Sequence, residues 1–139
     1  MAAGQAEALR RLFHLKTNID SGHFLPIWEA AVAAMTGDQS WLQERNRIYQ
    51  SRRDRVMSAL HALGLHAKQP RASIYVWSPI PAGWRSIDFT RALLEETGVS
   101  LTPGTVFGPG GEGYVRISLT APEARIENAM RRLKDWMNR

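Results

Sequence analysis

Gly111-Glu112-Gly113-Tyr114-Val115-Arg116-Ile117-Ser118-Leu119 decides how the rest of the chain is to be read. Tyr114, Arg116 and Ser118 alternate with Val115, Ile117 and Leu119, the period-two pattern of a strand buried on one face only. Such a strand needs a layer packed behind its aliphatic face, and it sets one guanidinium on the opposite face. Arg116 is therefore the leading candidate for a binding residue, weighed against the plainer reading of an arginine on a solvated strand face.

The glycine-rich segment just upstream, Gly108-Pro109-Gly110-Gly111-Glu112-Gly113, satisfies Gly-x-Gly-x-x-Gly. A dinucleotide site of that kind needs a strand before it and a helix N-terminus after it to hold the pyrophosphate, and here a strand follows. The segment is read as a loop. Just downstream, Thr120 and Glu123 have capping-box spacing, with Pro122 in the first turn of a helix that carries Ile126, Ala129, Met130, Leu133 and Met137 on one side.

Toward the N-terminus, residues 72–77 and 99–102 have the β-branched and aromatic content of two further strands. Between them Ser86 is a candidate N-cap for a helix bearing Ile87, Phe89, Leu93 and Leu94 and closing at Gly98. Asp38 is a candidate cap for a long helix over 38–63 that stops at Gly64, with Trp41, Ile48, Tyr49, Val56, Leu60 and Leu63 as its buried stripe. At 1.5 Å per residue it would be about 39 Å long, the reach of a helix that bridges two domains. Before it come an amphipathic helix over 4–15, a polar loop over 16–23 and a short helix over 26–35 opened by Pro26. The expected architecture is a two-layer α/β sandwich in which helices pack on a small sheet. That sheet is expected to be mixed in direction, since one pair of strands is joined by a helix and another by a loop.

Composition narrows the function classes. The chain has 139 residues, 44% of them hydrophobic and 22% charged, enough for one globular core. It has no cysteine, which excludes disulfides and thiolate metal sites and points to the reducing cytosol, a cytoplasmic location. His14, His23, His61 and His66 have no metal-ligand spacing. The net charge of +5 raises nucleic acid as a partner. The arginines, however, concentrate at Arg45, Arg47, Arg52, Arg53 and Arg55, where Glu44 and Asp54 interrupt them and Tyr49 alone interleaves, so they are read as a solvated helix face. No apolar run approaches the roughly 20 residues that span a bilayer, so no membrane partner is expected.

Asn18-Ile19-Asp20-Ser21-Gly22, Tyr75-Val76-Trp77, Gly98-Val99 with Thr102-Pro103-Gly104, Phe107-Gly108 and the Gly111 to Leu119 stretch occur together in one order and spacing. In this the chain resembles, over essentially its whole length, the C-terminal part of the class I/II, fold-type I aminotransferases dependent on pyridoxal phosphate. The diaminopimelate, aspartate and alanine aminotransferase-like group is the nearest in appearance.

The resemblance implies that residues 1–37 are a remnant of the connection to a cofactor domain and that 38–139 are the C-terminal small domain. It implies that Arg116 pairs with the α-carboxylate of an amino-acid or 2-oxo-acid substrate, and it carries Asn18 and Ser21 as weaker substrate-side positions, in a loop that lies near the partner's site in homodimers of the family. It assigns no catalytic residue here. The lysine that carries pyridoxal phosphate, the aspartate on its ring nitrogen and the phosphate loop belong to the region upstream of the resemblance, and Lys16, Lys68 and Lys134 do not match that lysine. Met1-Ala2-Ala3-Gly4 resembles a segment that follows the lysine loop, which makes Met1 a candidate internal methionine. The alternative is a stand-alone, non-catalytic module that binds a ligand or a protein partner.

Overall fold

The computed structural model describes residues 2–139, so the reading of Met1 lies outside the described residues. Packing divides the chain into two units, Met1–Gln39 and Ser40–Arg139.

The first unit holds α1 (Ala6–Ile19) and α2 (Leu25–Thr36), neither of which buries a residue. Leu12, Phe13, Ile19, Phe24, Trp28 and Met35 are all exposed. Pro26 sits in the first turn of α2 as expected. The polar loop is shorter than its composition suggests, because α1 runs on through Lys16-Thr17-Asn18-Ile19. The Thr17 hydroxyl and the Asn18 amide both donate to the His14 carbonyl, and Lys16 pairs with Asp20 one turn on, so side chains that often end a helix here continue it.

The second unit runs α3 (Ser40–Ala62), β1 (Tyr75–Pro79), α4 (Ser86–Thr97), β2 (Thr102–Pro103), two 3-10 turns (Gly104–Phe107 and Pro109–Gly111), β3 (Tyr114–Ser118) and α5 (Glu123–Met137). The two-layer α/β arrangement is as expected, but the sheet is not mixed: its order is β1-β3-β2 and both ladders are antiparallel. The helix-linked strands β1 and β2 do share a direction. They never pair, because β3 inserts between them. The strands lie at 75–79 instead of 72–77, since Ser73 takes a positive φ of 94° that breaks the run before Tyr75, and at 102–103 instead of 99–102, where Thr102 and Pro103 pair with β3.

Val76, Val115 and Ile117 fill the inner face of the sheet and pack with Val56, Leu60, Phe89, Leu93, Leu119, Ile126 and Leu133 in one core. The C-terminal half of α3 supplies its fully buried residues, and Tyr49 packs against the core partly buried, as expected. Trp41 and Ile48, expected in its buried stripe, are 54% and 41% exposed, and the buried residues are Val56, Met57 and Leu60. Nor is the arginine-rich stretch simply a solvated face. Arg52 donates to the Leu119 carbonyl, Arg53 to the Pro70 carbonyl, and Arg55 pairs with Glu123 and Glu127, tying α3 to its neighbours.

The end of α3 follows its sequence signal: Leu65 N–H bonds the Leu60 carbonyl and Gly64 N–H the His61 carbonyl, with Gly64 at φ 73°. Gly98 closes α4 in the left-handed region likewise. The helix starts differ. The first helical residue of α3 is Ser40, and α5 begins at Glu123 with Pro122 as N-cap and no capping side chain. The expected capping box is unmade because the Thr120 hydroxyl bonds the Ser118 hydroxyl, while Glu123 reaches Arg55. Ser86 is the first helical residue of α4 and not its cap.

Candidate functional site

The antiparallel register sets Arg116 between Trp77 of β1 and Thr102 of β2, at the centre of the outer sheet face. Strand alternation places Tyr75, Trp77, Tyr114 and Ser118 on that same face. Arg116 is half-buried there. Its guanidinium carbon lies 4.2 Å from the Tyr75 ring centroid and 4.7 Å from that of Phe107, a cation–π clamp from two sides. Trp77 supports the clamp by stacking on Tyr114 and meeting Phe107 edge-on, each at 5.7 Å. Among the described residues the guanidinium has neither an acidic partner nor a hydrogen bond. Its five donors therefore remain available to a ligand.

Phe107 arrives from the loop between β2 and β3, and that loop is fixed by two unusual contacts. Gly104 and Gly111 cross with no room for a side chain on either. The Glu112 carboxylate accepts from Ser86 N–H at 2.7 Å, from the Ser86 hydroxyl at 3.0 Å and from Gly113 N–H at 3.0 Å. A carboxylate at the N-terminus of α4 meets both free amides and the positive end of the helix dipole. The Ser86 and Gly113 amides, then the Ser86 hydroxyl and the Arg85 charge, hold the Glu112 carboxyl below its ordinary pKa.

Of the sequence candidates, Arg116 alone belongs to this face. Asn18 lies in the last turn of α1, donating to the His14 carbonyl at 2.7 Å, and Ser21 is exposed in the α1–α2 link; both belong to the first packing unit. Tyr75, Phe107 and Glu112 had no assigned role in the sequence reading. Alternation with Val76 was a usable signal for Tyr75. Phe107 and Glu112 fall in segments that carry the family resemblance, but nothing local assigns them a role, because their partners are 9 and 26 positions away.

The family profile described as aminotransferase class I and II matches residues 2–133. This chain belongs to the class I and II aminotransferases. It is 44% identical over 133 residues to LL-diaminopimelate aminotransferase of Moorella thermoacetica, covering 96% of this chain and 34% of that protein. It is 46% identical over 138 residues to the enzyme of the same name from Desulforudis audaxviator, covering 99% of this chain and 35% of the relative. The chain thus spans about a third of the length of these aminotransferases. Among solved structures, a probable N-succinyldiaminopimelate aminotransferase from Thermus thermophilus superposes with a TM-score of 0.85 at 34% identity, covering 95% of this chain and 35% of that one.

For pyridoxal phosphate, the cofactor implied by the aminotransferase resemblance, the helix start next to the Arg116 loop offers no seat. A phosphate is well held at a helix N-terminus, but that of α4 is filled by Glu112. Lys16 is paired with Asp20, and Lys68 and Lys134 are exposed.

Proposed function

We propose that this chain is the small, C-terminal domain of a pyridoxal-phosphate-dependent aminotransferase and that Arg116 binds the α-carboxylate of its amino-acid or 2-oxo-acid substrate. The observation that carries this reading is the guanidinium itself, clamped between Tyr75 and Phe107 with no acidic partner among the described residues. A planar fork with a permanent charge meets a carboxylate through two parallel N–H···O bonds, which a lysine cannot do. The flanking rings remove rotamer freedom before the substrate arrives, so less entropy is lost on binding. Arg116 would thereby orient the substrate and transfer no proton.

Transamination requires a cofactor-binding part that supplies the electron sink. In this reading residues 1–37 connect to that part and 38–139 form the small domain. The exposed Leu12, Phe13, Phe24 and Trp28 support the connecting role, as a surface this apolar is suited to being covered. The working form is a cytoplasmic homodimer, with the Asn18 to Ser21 segment near the partner's site. The names of the relatives suggest LL-diaminopimelate as the compound transaminated.

The test joins the chain to a cofactor-binding part and compares an amino-acid substrate with its α-carboxamide. The wild-type enzyme should strongly prefer the carboxylate, and Arg116→Gln should erase most of that preference. An Arg116→Gln enzyme that still discriminates between the two would remove Arg116 from the site.

A further inference from the structure

The clamp on Arg116 has one fixed side and one side that depends on a loop. Tyr75 belongs to β1 and is held by the ladder to β3. Phe107 ends the first 3-10 turn, is 51% exposed, and has no strand partner to hold it. Beyond its edge-on contact with Trp77, its position rests on the attachments of residues 104–113. At the neck, Gly104 and Gly111 touch backbone to backbone. At the downstream end, Glu112 gathers Ser86 N–H, the Ser86 hydroxyl and Gly113 N–H. The Ser86 oxygen itself accepts Gly113 N–H at 2.9 Å, and the Gly113 carbonyl accepts Ile80 N–H at 3.0 Å.

Ser86 is fully buried and opens a helix packed into the core, so it is the rigid partner of this group. Charge-assisted bonds from a carboxylate to helix amides are about twice as strong as neutral ones. Severing them would leave Ser86 N–H unpaired in a buried position and would free the loop to slide Phe107 off the guanidinium.

From this we infer that Glu112 is a positioning residue for Arg116, acting through the 104–113 loop and the Phe107 ring. The inference rests on the reading of Arg116 as the substrate's carboxylate ligand for its functional meaning, but its geometry can be tested without it. Glu112 touches no substrate in this account. It fixes the direction of a fork that does.

In the full 139-residue chain, ring currents from Tyr75 and Phe107 should displace the Arg116 Nε–Hε NMR signal upfield. Glu112→Ala should lose most of that displacement, with Val76 and Leu119 methyl signals unchanged as the record of an intact core. Glu112→Gln keeps an acceptor and should restore part of it. Phe107→Leu, which removes the ring itself, should cause a similar loss and identifies Phe107 as the source of the shift, while a partial loss in Glu112→Gln decides the matter if Glu112→Ala fails to fold. An Arg116 signal that stays in place in a folded Glu112→Ala chain, or in Phe107→Leu, overturns the inference. The same variants joined to a cofactor-binding part should raise KM for the amino acid several-fold more than they lower kcat. If the NMR signal moves and KM does not, Glu112 positions Arg116 as inferred and the carboxylate-binding role of Arg116 is what fails.

Discussion

Gly104 and Gly111 cross so closely that a Cβ built on Gly104 would lie 2.1 Å from the Gly111 carbonyl oxygen, and one on Gly111 would lie 2.0 Å from that of Gly104. Two backbones in direct contact form the neck of the loop that carries Phe107 to Arg116. The glycines in this stretch serve close approach and not nucleotide binding.

Either Gly104→Ala or Gly111→Ala must push backbone from backbone, with no flexible side chain to give way. Each should destabilise the second unit by about 3 kcal/mol, the upper end of ordinary overpacking, read from urea denaturation. Gly110→Ala, where a Cβ meets nothing within 4 Å, should change stability far less.

Glu112 makes stability fall on acidification. Its folded-state pKa is lowered, first by the Ser86 and Gly113 amides, so its contribution is fully present above the unfolded carboxylate pKa and is lost as pH falls through the folded one. Between about pH 5 and about pH 3 the denaturation midpoint of Glu112→Gln should vary less than that of the wild type. Parallel curves for the two proteins would show that the carboxylate is not held as described.

The two halves of α3 should respond unequally. Leu60, 1% exposed, should cost about 2–5 kcal/mol as Leu60→Ala. Trp41, 54% exposed and covered on one face by Arg45 at 4.9 Å, should cost within about 1 kcal/mol as Trp41→Ala in the same denaturation experiment.

Arg116→Lys keeps the charge and removes the fork. In the joined enzyme it should reduce kcat/KM by the equivalent of about 2–5 kcal/mol, as for truncation of a desolvated charge pair. Steady-state kinetics with the amino-acid substrate provide the measurement, and an unchanged kcat/KM would count against a bidentate carboxylate contact.

Pyridoxal phosphate added to this chain alone, followed by borohydride, should label Lys16, Lys68 and Lys134 slowly and without a dominant site. Peptide mass spectrometry reads the distribution. Rapid labelling of one lysine would reveal a cofactor seat that the arrangement of Glu112 and the lysines argues against.

Much of the fold was legible along the chain because it depends on local periodicity. The alternation over 114–119 named the inner and outer faces of β3 correctly, and Gly64 and Gly98 stop their helices in the left-handed conformation that glycine tolerates. Helix starts were less legible. Thr120, Glu123 and Ser86 carry capping chemistry in sequence, yet each is drawn to a different partner: Ser118, Arg55 and Glu112. A capping signal describes what a side chain can reach locally, and a competing donor or charge from another element overrides it.

The sequence by itself determined that β3 has an aliphatic face and a face bearing Arg116, because side-chain direction in a strand follows from the backbone pleat alone. Only the tertiary structure decided what surrounds that guanidinium. β3 had to insert between β1 and β2 for Tyr75 to lie under Arg116, and Gly104, Gly111 and Glu112 had to fix a loop for Phe107 to cover it. Those contacts join residues far apart in the chain, and no local pattern encodes which of them will meet.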